Sequence, residues 1–384
     1  MRIVADRNIP FVQEAFGPLG EVVTVSAPAL DAAAVQDADL VLVRSTVKVD
    51  AALLSGSRAR FVATATIGTD HLDTAWLAER GIAWASAPGS NADSVAQWWA
   101  GALLTLAERR RTGLRGATIG IVGVGNVGSR VERLAAAFGC RVLRCDPPRA
   151  RAEGGDFVAL DDLLPACDVV TLHVPLARGG SDPTFRLLDA ARLERLRPSA
   201  TLVNCSRGAV LHEAAAVKAR AAGHLGALLL DVFEGEPEVA PATVAACDLA
   251  TPHIAGHSLD GKANGTRMIH EAACRFLGVA PKWSPRTALG PKPTRSVALD
   301  TRGLDDETVA LSVLRRFYRV EEDDAALRRI ARLPDGKRGK AFGEYRASYP
   351  PRRELHGLRV QMAPARPFAG AMLEALGAVI EDRG

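Results

Sequence analysis

The run Thr118-Ile119-Gly120-Ile121-Val122 passes without a break into Gly123-Val124-Gly125-Asn126-Val127-Gly128. An apolar, β-branched run of this length reads as a buried strand, and glycines spaced G-x-G-x-x-G read as a tight turn into a helix. Val127, Val131, Leu134, Ala135 and Phe138 then recur at helical spacing, and Gly139 supplies a helix stop. A second strand is expected over 141–145, and Asp146 closes it 18 residues beyond Gly128. Strand, glycine turn, helix, strand and terminal acid commit this part of the chain to a parallel α/β sheet.

The residue types also carry chemistry. Gly123 permits the tight turn. Gly125 lets backbone approach a pyrophosphate at the helix N-terminus, and Gly128 allows close helix–strand packing. Asn126 and Val127 complete the turn. Asp146 can accept hydrogen bonds from ribose hydroxyls and would repel a 2′-phosphate, which favours NAD over NADP; Arg149, three residues on, works against that preference. A glycine-rich turn without a nucleotide is the plain alternative, and the position of the acid argues against it.

The same alternation covers most of the chain. Strands are expected at 2–5, 21–25, 40–43, 61–65 and 82–85, and after the glycine turn at 169–174, 201–204, 227–232 and 248–250. Long helices are expected at 94–110 and 262–277. Aromatic residues are only 5%, so aliphatic side chains must fill the cores, and the 35 glycines follow no collagen-like period. Residues 283–297 hold three prolines and little periodicity and read as a linker. Beyond it, helices are expected at 306–317, 325–332 and 369–377 and a strand at 358–362.

Charge separates this last part from the rest. Residues 281–384 carry 20 Lys and Arg against 14 Asp and Glu, whereas the remainder carries 28 against 30. A net charge of +4 gives little reason to expect nucleic acid or a membrane as partner; the basic tail suits an anion or an acidic surface. The cysteines at 140, 145, 167, 205, 247 and 274 have no C-x-x-C spacing, so no metal is expected and free thiols in a reducing compartment are. No leader-like or membrane-spanning run is visible, which leads to the expectation of a cytoplasmic protein.

Three later stretches each follow an expected strand: Asn204-Cys205-Ser206-Arg207-Gly208, Asp231-Val232-Phe233-Glu234-Gly235-Glu236-Pro237 and Thr251-Pro252-His253-Ile254-Ala255-Gly256. Parallel α/β sheets hold their ligands at the carboxyl ends of strands. A cation, a carboxylate and an imidazole on three such loops make a reactive site the better reading. In this order of motifs the first 280 or so residues resemble the D-isomer-specific 2-hydroxyacid dehydrogenases.

The resemblance implies Arg207 as substrate clamp, Glu236 as partner of the histidine and His253 as acid/base. Glu234 is the competing acid, but Glu236 directly precedes the proline. It also implies cofactor contacts from Val174, Cys205, Ser206, Asp231 and Gly256, and a carboxylate-binding loop at Thr66-Ile67-Gly68-Thr69-Asp70. The expected fold is α/β: a Rossmann-type doubly wound cofactor domain at 94–254, a flavodoxin-like substrate domain at 1–93 and 255–282, and a small α+β C-terminal dimerisation domain at 283–384.

Within the family, the finer similarity is to the branch that oxidises 4-phospho-D-erythronate with NAD in vitamin B6 biosynthesis. It rests on Arg44-Ser45, 65–71, 87–92, 146–149, 252–262 and the tail run Tyr345-Arg346-Ala347-Ser348-Tyr349-Pro350-Pro351-Arg352-Arg353-Glu354. The implied substrate contacts are Arg44, Ser45, Thr66, Gly68, His257 and Arg346, the last reaching over from a partner subunit of a homodimer. His257 stands where that branch usually has tyrosine, and Val174 where it has threonine. Alternative readings are a dehydrogenase for phosphoglycerate, hydroxypyruvate or glyoxylate, or an NAD-binding protein of corepressor type.

Overall fold

The computed structural model describes residues 1–289 and 295–381. The chain divides into two compact units, Met1–Asn91 with Ser258–Pro293, and Ala92–His257 with Thr294–Gly384.

The first unit is built on a five-stranded sheet. Its strands are β1 (Arg2–Asp6), β2 (Glu21–Val25), β3 (Leu40–Val43), β4 (Phe61–Thr64) and β5 (Ala83–Ala85), in the order β2-β1-β3-β4-β5 and all parallel. This is the flavodoxin-like order, which reverses between β1 and β3. β3 and β4 are buried along their whole length, as continuous apolar runs in a doubly covered parallel sheet must be. The helix Leu259–Leu277 covers one face, with Ile269 and Ala273 in the same core as Ile3, Leu42 and Phe61. It begins three residues before the expected 262 because Ser258 caps it, accepting from the Gly261 N–H at 2.8 Å.

The second unit holds six parallel strands: β6 (Thr118–Val122), β7 (Arg141–Cys145), β8 (Val169–Leu172), β9 (Thr201–Asn204), β10 (Ala227–Leu230) and β11 (Leu249–Ala250). Their order is β11-β10-β9-β8-β6-β7. Phe157 adds one parallel bridge to Arg144 on β7. With that bridge as a reduced third strand, the order is the 3-2-1-4-5-6 of dinucleotide-binding sheets, extended by β11. The order reverses between β6 and β8, where a ligand crevice is expected.

A three-stranded sheet completes this unit: β12 (Ser296–Asp300), β13 (Arg359–Ala363) and β14 (Val379–Ile380), paired in that order. The region was expected as α+β; its strands all run parallel and helices join them. It shares one hydrophobic core with the cofactor-binding part. Trp98 and Trp99 of the helix Ala92–Arg110 are fully buried in the same cluster as Ile119, Leu134, Leu314 and Val360. A Cβ at Gly101 would come within 3.0 Å of the Leu314 side chain, so the helices pack closely there.

Three tail elements depart from expectation. The helix expected at 325–332 starts at Val320, because Asp323 and Asp324 are buried and used as acceptors. Asp324 accepts from the Ala250 N–H at 2.8 Å, and Arg328 donates to the Val244 and Cys247 carbonyls. The helix thereby covers the edge strand β11. The helix Arg338–Ala347 was not expected, since Phe342 is its one buried apolar anchor apart from the stem of Arg338. The linker expected at 283–297 contains the helix Pro285–Leu289 and the start of β12; its residues 290–294 lie outside the described residues. Among the described residues, no helix is long and apolar enough to cross a membrane.

Candidate active site

The glycine turn leaves β6 beside β8. Gly123 has φ +86, and a Cβ there would lie 2.8 Å from the His173 carbonyl carbon. A Cβ at Gly128 would lie 2.0 Å from the Gly123 carbonyl oxygen, so the helix Gly128–Ala137 can start only on a glycine. At Gly125 a Cβ would meet nothing within 4 Å, which leaves this backbone approachable from outside. Two closed glycine contacts and one open one suit a pyrophosphate at the helix N-terminus. The Asn126 carbonyl accepts from Arg130, which is itself paired with Asp93.

Asp146 holds the turn from the end of β7. One carboxylate oxygen accepts from the Val124 N–H at 2.8 Å, the other from the Arg149 N–H at 3.1 Å. A carboxylate keeps lone pairs beyond these two bonds, so it can still meet ribose hydroxyls. Arg149, whose charge works against NAD selectivity, forks onto Glu153 at 2.8 and 2.7 Å and donates to the Val124 carbonyl. Its charge is thus balanced beside the turn, and the turn, the helix start and the acid together fit an NAD adenosine and pyrophosphate.

His173 and Val174 follow β8. The His173 ring pairs with the Thr171 hydroxyl at 2.9 Å and faces the Cys205 thiol, and desolvation pushes its pKa down to about 3. Burial pushes the Cys205 thiol up, so neither group is charged at neutral pH.

Arg207 follows β9 on a loop that Asn204 shapes. The fully buried Asn204 accepts from the Ser206 N–H and hydroxyl and donates to the Arg207 carbonyl. Gly208 then packs so tightly that a Cβ would sit 1.9 Å from the Phe233 carbonyl carbon. The arginine and glutamate loops therefore touch through backbone.

Glu236 and His253 meet directly. Glu236 Oε2 lies 2.7 Å from His253 Nδ1, and Oε1 accepts from the Phe233 N–H at 2.8 Å. Burial pushes the Glu236 carboxyl up, but the imidazole, the Phe233 amide and the Arg346 charge outweigh it and hold it below its ordinary value. Glu234 points elsewhere, paired with Arg186 at 2.7 Å. His253 itself sits at φ +53, a conformation that a non-glycine residue keeps only under constraint.

Asp231 supplies much of that constraint. Its carbonyl and both carboxylate oxygens accept from the N–H groups of His253, Ile254 and Ala255 at 2.7, 2.9 and 3.0 Å. The Thr251 hydroxyl donates to it at 2.6 Å and receives the Trp98 indole N–H. Burial pushes this carboxyl up to about 6, against the pull of the imidazole and these donors. Gly256 and His257 follow on the same loop, and the His257 ring meets Tyr349 edge-on at 5.7 Å.

The expected site residues of the second unit thus gather on the carboxyl ends of its strands. Arg346, expected to act across a subunit boundary, donates through Nε to the His253 carbonyl of its own chain at 3.3 Å. In the first unit, Arg44 and Ser45 follow β3. Thr66 and Gly68 follow the neighbouring β4, where the Thr66 hydroxyl meets Thr64 at 2.7 Å and His71 steadies Thr64 at 3.0 Å. Sequence reasoning missed Asn204, Thr251 and Glu213. Glu213 accepts from the Glu234 N–H and from Thr243, and burial raises it to about 6. Thr251 and Glu213 act on loops distant in sequence, which no local pattern marks, whereas Asn204 acts on its own loop through Ser206 and Arg207.

Comparison with known proteins identifies the family. Residues 90–255 match the model of the D-isomer specific 2-hydroxyacid dehydrogenase NAD-binding domain, and 289–377 match a domain of unknown function. The chain is 47% identical to the erythronate-4-phosphate dehydrogenase of Pseudomonas syringae pv. syringae (strain B728a), over 99% of this chain and 100% of that one. It is 48% identical to the enzyme of the same name from Salinibacter ruber, over 92% of both. Among solved structures, the TT0316 protein of Thermus thermophilus is similar at a TM-score of 0.62 and 27% identity, covering 73% of this chain and 98% of that one. With its NAD-binding domain and near full-length similarity, the chain belongs to the erythronate-4-phosphate dehydrogenases, within the D-isomer-specific 2-hydroxyacid dehydrogenase family.

Proposed function

We propose that the protein oxidises 4-phospho-D-erythronate to (R)-3-hydroxy-2-oxo-4-phosphobutanoate with NAD, a step of vitamin B6 biosynthesis. The observation that carries the mechanism is the 2.7 Å contact between His253 Nδ1 and Glu236. Glu236 stays anionic and accepts from Nδ1–H, which leaves the Nε2 lone pair available. Nε2 removes the proton of the C2 hydroxyl, and Glu236 steadies the imidazolium that results. Residues 123–128 and Asp146 would hold NAD, with Val174, Cys205, Ser206, Asp231 and Gly256 beside it, and the bound cofactor would supply the acceptor for the C2 hydride. The Arg207 guanidinium offers a planar fork to the carboxylate or the developing carbonyl oxygen.

Two anionic groups require two cationic regions. Thr66 and Gly68 join Arg207 on the carboxylate in this reading. Arg44, Ser45 and Arg346 serve the phosphate, and His257 donates a hydrogen bond where relatives use tyrosine. A homodimer through the tail belongs to the same reading. Its support is the outer face of the small sheet, where Ser296, Ala298 and Ala363 are exposed and Val379 is 50% exposed. A cytoplasmic location fits the six free cysteines.

Glu236→Gln and Glu234→Gln separate the two acids. Glu236→Gln is expected to lower kcat by about 10⁴-fold, as loss of an imidazole-orienting carboxylate does, and Glu234→Gln to stay within about threefold. Comparable losses in both would overturn the assignment.

A further inference from the structure

The loop that carries His253 is held on two sides. Asp231 takes its N–H groups. The opposite side, its carbonyls, is taken by the C-terminal segment. Arg346 Nε donates to the His253 carbonyl, and Arg352 Nη2 donates to the Ala255 carbonyl at 2.6 Å. Arg352 is only 7% exposed. It also donates to the Ser94 carbonyl and hydroxyl, and its guanidinium stacks 4.1 Å above the Tyr318 ring. Ser94 itself donates to the same Ala255 carbonyl at 2.8 Å.

The glutamate loop is tied to the same segment. Glu238, two residues beyond Glu236, accepts from the Gly336 and Gly339 N–H groups at 3.2 and 2.7 Å and pairs with Arg338. Tyr349 closes against His257 and anchors its hydroxyl on the buried Asp323 at 2.8 Å; Tyr345 binds the other oxygen at 2.6 Å. Both partners of the reactive pair are thus fastened, through their loops, to residues 336–352 of their own chain.

We infer that the tail segment 336–352 is a positioning element for the His253–Glu236 pair in the same chain, and that Arg352 is its central positioning residue. The inference rests on the reading of His253 as the acid/base. Two physical facts drive it. First, a non-glycine residue at positive φ persists only where its surroundings over-determine it; the loop's own bonds, His253 N–H to the Thr251 carbonyl and His257 N–H to the Ile254 carbonyl, leave the His253 and Ala255 carbonyls to be held from the tail. Second, the two N–H bonds of the desolvated Arg352 Nη2 are shared among the Ser94 and Ala255 oxygens, and charge-assisted bonds of this kind fix direction as well as distance. A lysine keeps the charge and one of these bonds; a methionine keeps only the volume.

The test uses the full-length protein with NAD and 4-phospho-D-erythronate. Arg352→Met is expected to lower kcat about 10–100-fold, as a displacement of about 1 Å at a reacting pair does, with KM for NAD within about threefold. Arg352→Lys should recover a measurable part of that loss. Glu238→Gln, at a half-exposed carboxylate, should lower kcat several-fold while remaining folded by circular dichroism. A folded Arg352→Met enzyme with wild-type kcat would overturn the inference, as would a loss confined to KM for NAD. If Arg352→Met does not fold, an unchanged kcat in Glu238→Gln overturns it instead. His253→Ala separates the two layers: inactive His253→Ala beside fully active Arg352→Met sinks the positioning role alone, whereas active His253→Ala sinks both.

Discussion

His253 and His173 each follow a strand of the same sheet, and their partners give them opposite chemistry. His253 has a carboxylate on Nδ1. His173 has a hydroxyl and a thiol beside it, and desolvation takes it down to about 3 from an ordinary 6.5. The sign of the consequence is fixed. A histidine that resists charging in the folded state costs nothing above pH 6.5, and stability is lost as pH falls from there through about 3. Between pH 7 and pH 4 this group alone should remove about 3 kcal/mol. His173→Asn, compared with the parent by urea unfolding at both pH values, should lose correspondingly less on acidification; an equal loss in both would contradict the assignment. The His257 ring, by contrast, finds an aromatic partner, Tyr349, in the tail.

Loops after strands carry the site, and their packing leaves little freedom. Gly208 lies against the backbone of Phe233 and Glu234, where neither neighbour can rotate away. Gly208→Ala should therefore destabilise by about 3 kcal/mol and lower the melting temperature by several degrees. An unchanged melt would mean that the arginine and glutamate loops are not in contact. These loops were largely legible in the sequence, because each follows a strand and carries a distinctive residue set. Their starting points were not. The strands expected at 169–174 and 227–232 stop at Leu172 and Leu230; His173 and Asp231 each donate one further backbone bond, to the Val122 and Asn204 carbonyls, and there the chain turns from strand into the loops of the candidate site. Side-chain type does not signal that turn. The helix Arg338–Ala347 stayed hidden for a different reason: Phe342 is its one fully buried apolar residue, with Ala341 and Tyr345 only partly buried beside it, and Glu238, the acceptor for its Gly339 amide, is remote in sequence. Likewise Asp323 and Asp324 interrupt the apolar pattern of their helix because they serve tyrosines and a strand edge.

The chain as a whole joins a near-neutral body to a basic tail, and the tail serves more than one end. It contributes to the core beneath Trp98 and Trp99, covers the β11 edge, and meets both reactive loops. It also leaves one sheet face exposed, the feature behind the proposed homodimer. Light scattering should accordingly give twice the chain mass, and a monomer at assay concentration would contradict that assembly. Family membership follows from the near full-length similarity, while the proposed site calls for two anion-binding regions acting together. The most direct measurement is kcat/KM for NAD reduction with 4-phospho-D-erythronate and with D-erythronate lacking the phosphate. A site built to pair a phosphate should prefer the phosphorylated acid by about 10³-fold or more. Equal values for the two acids, or no turnover of the phosphorylated one, would contradict the account.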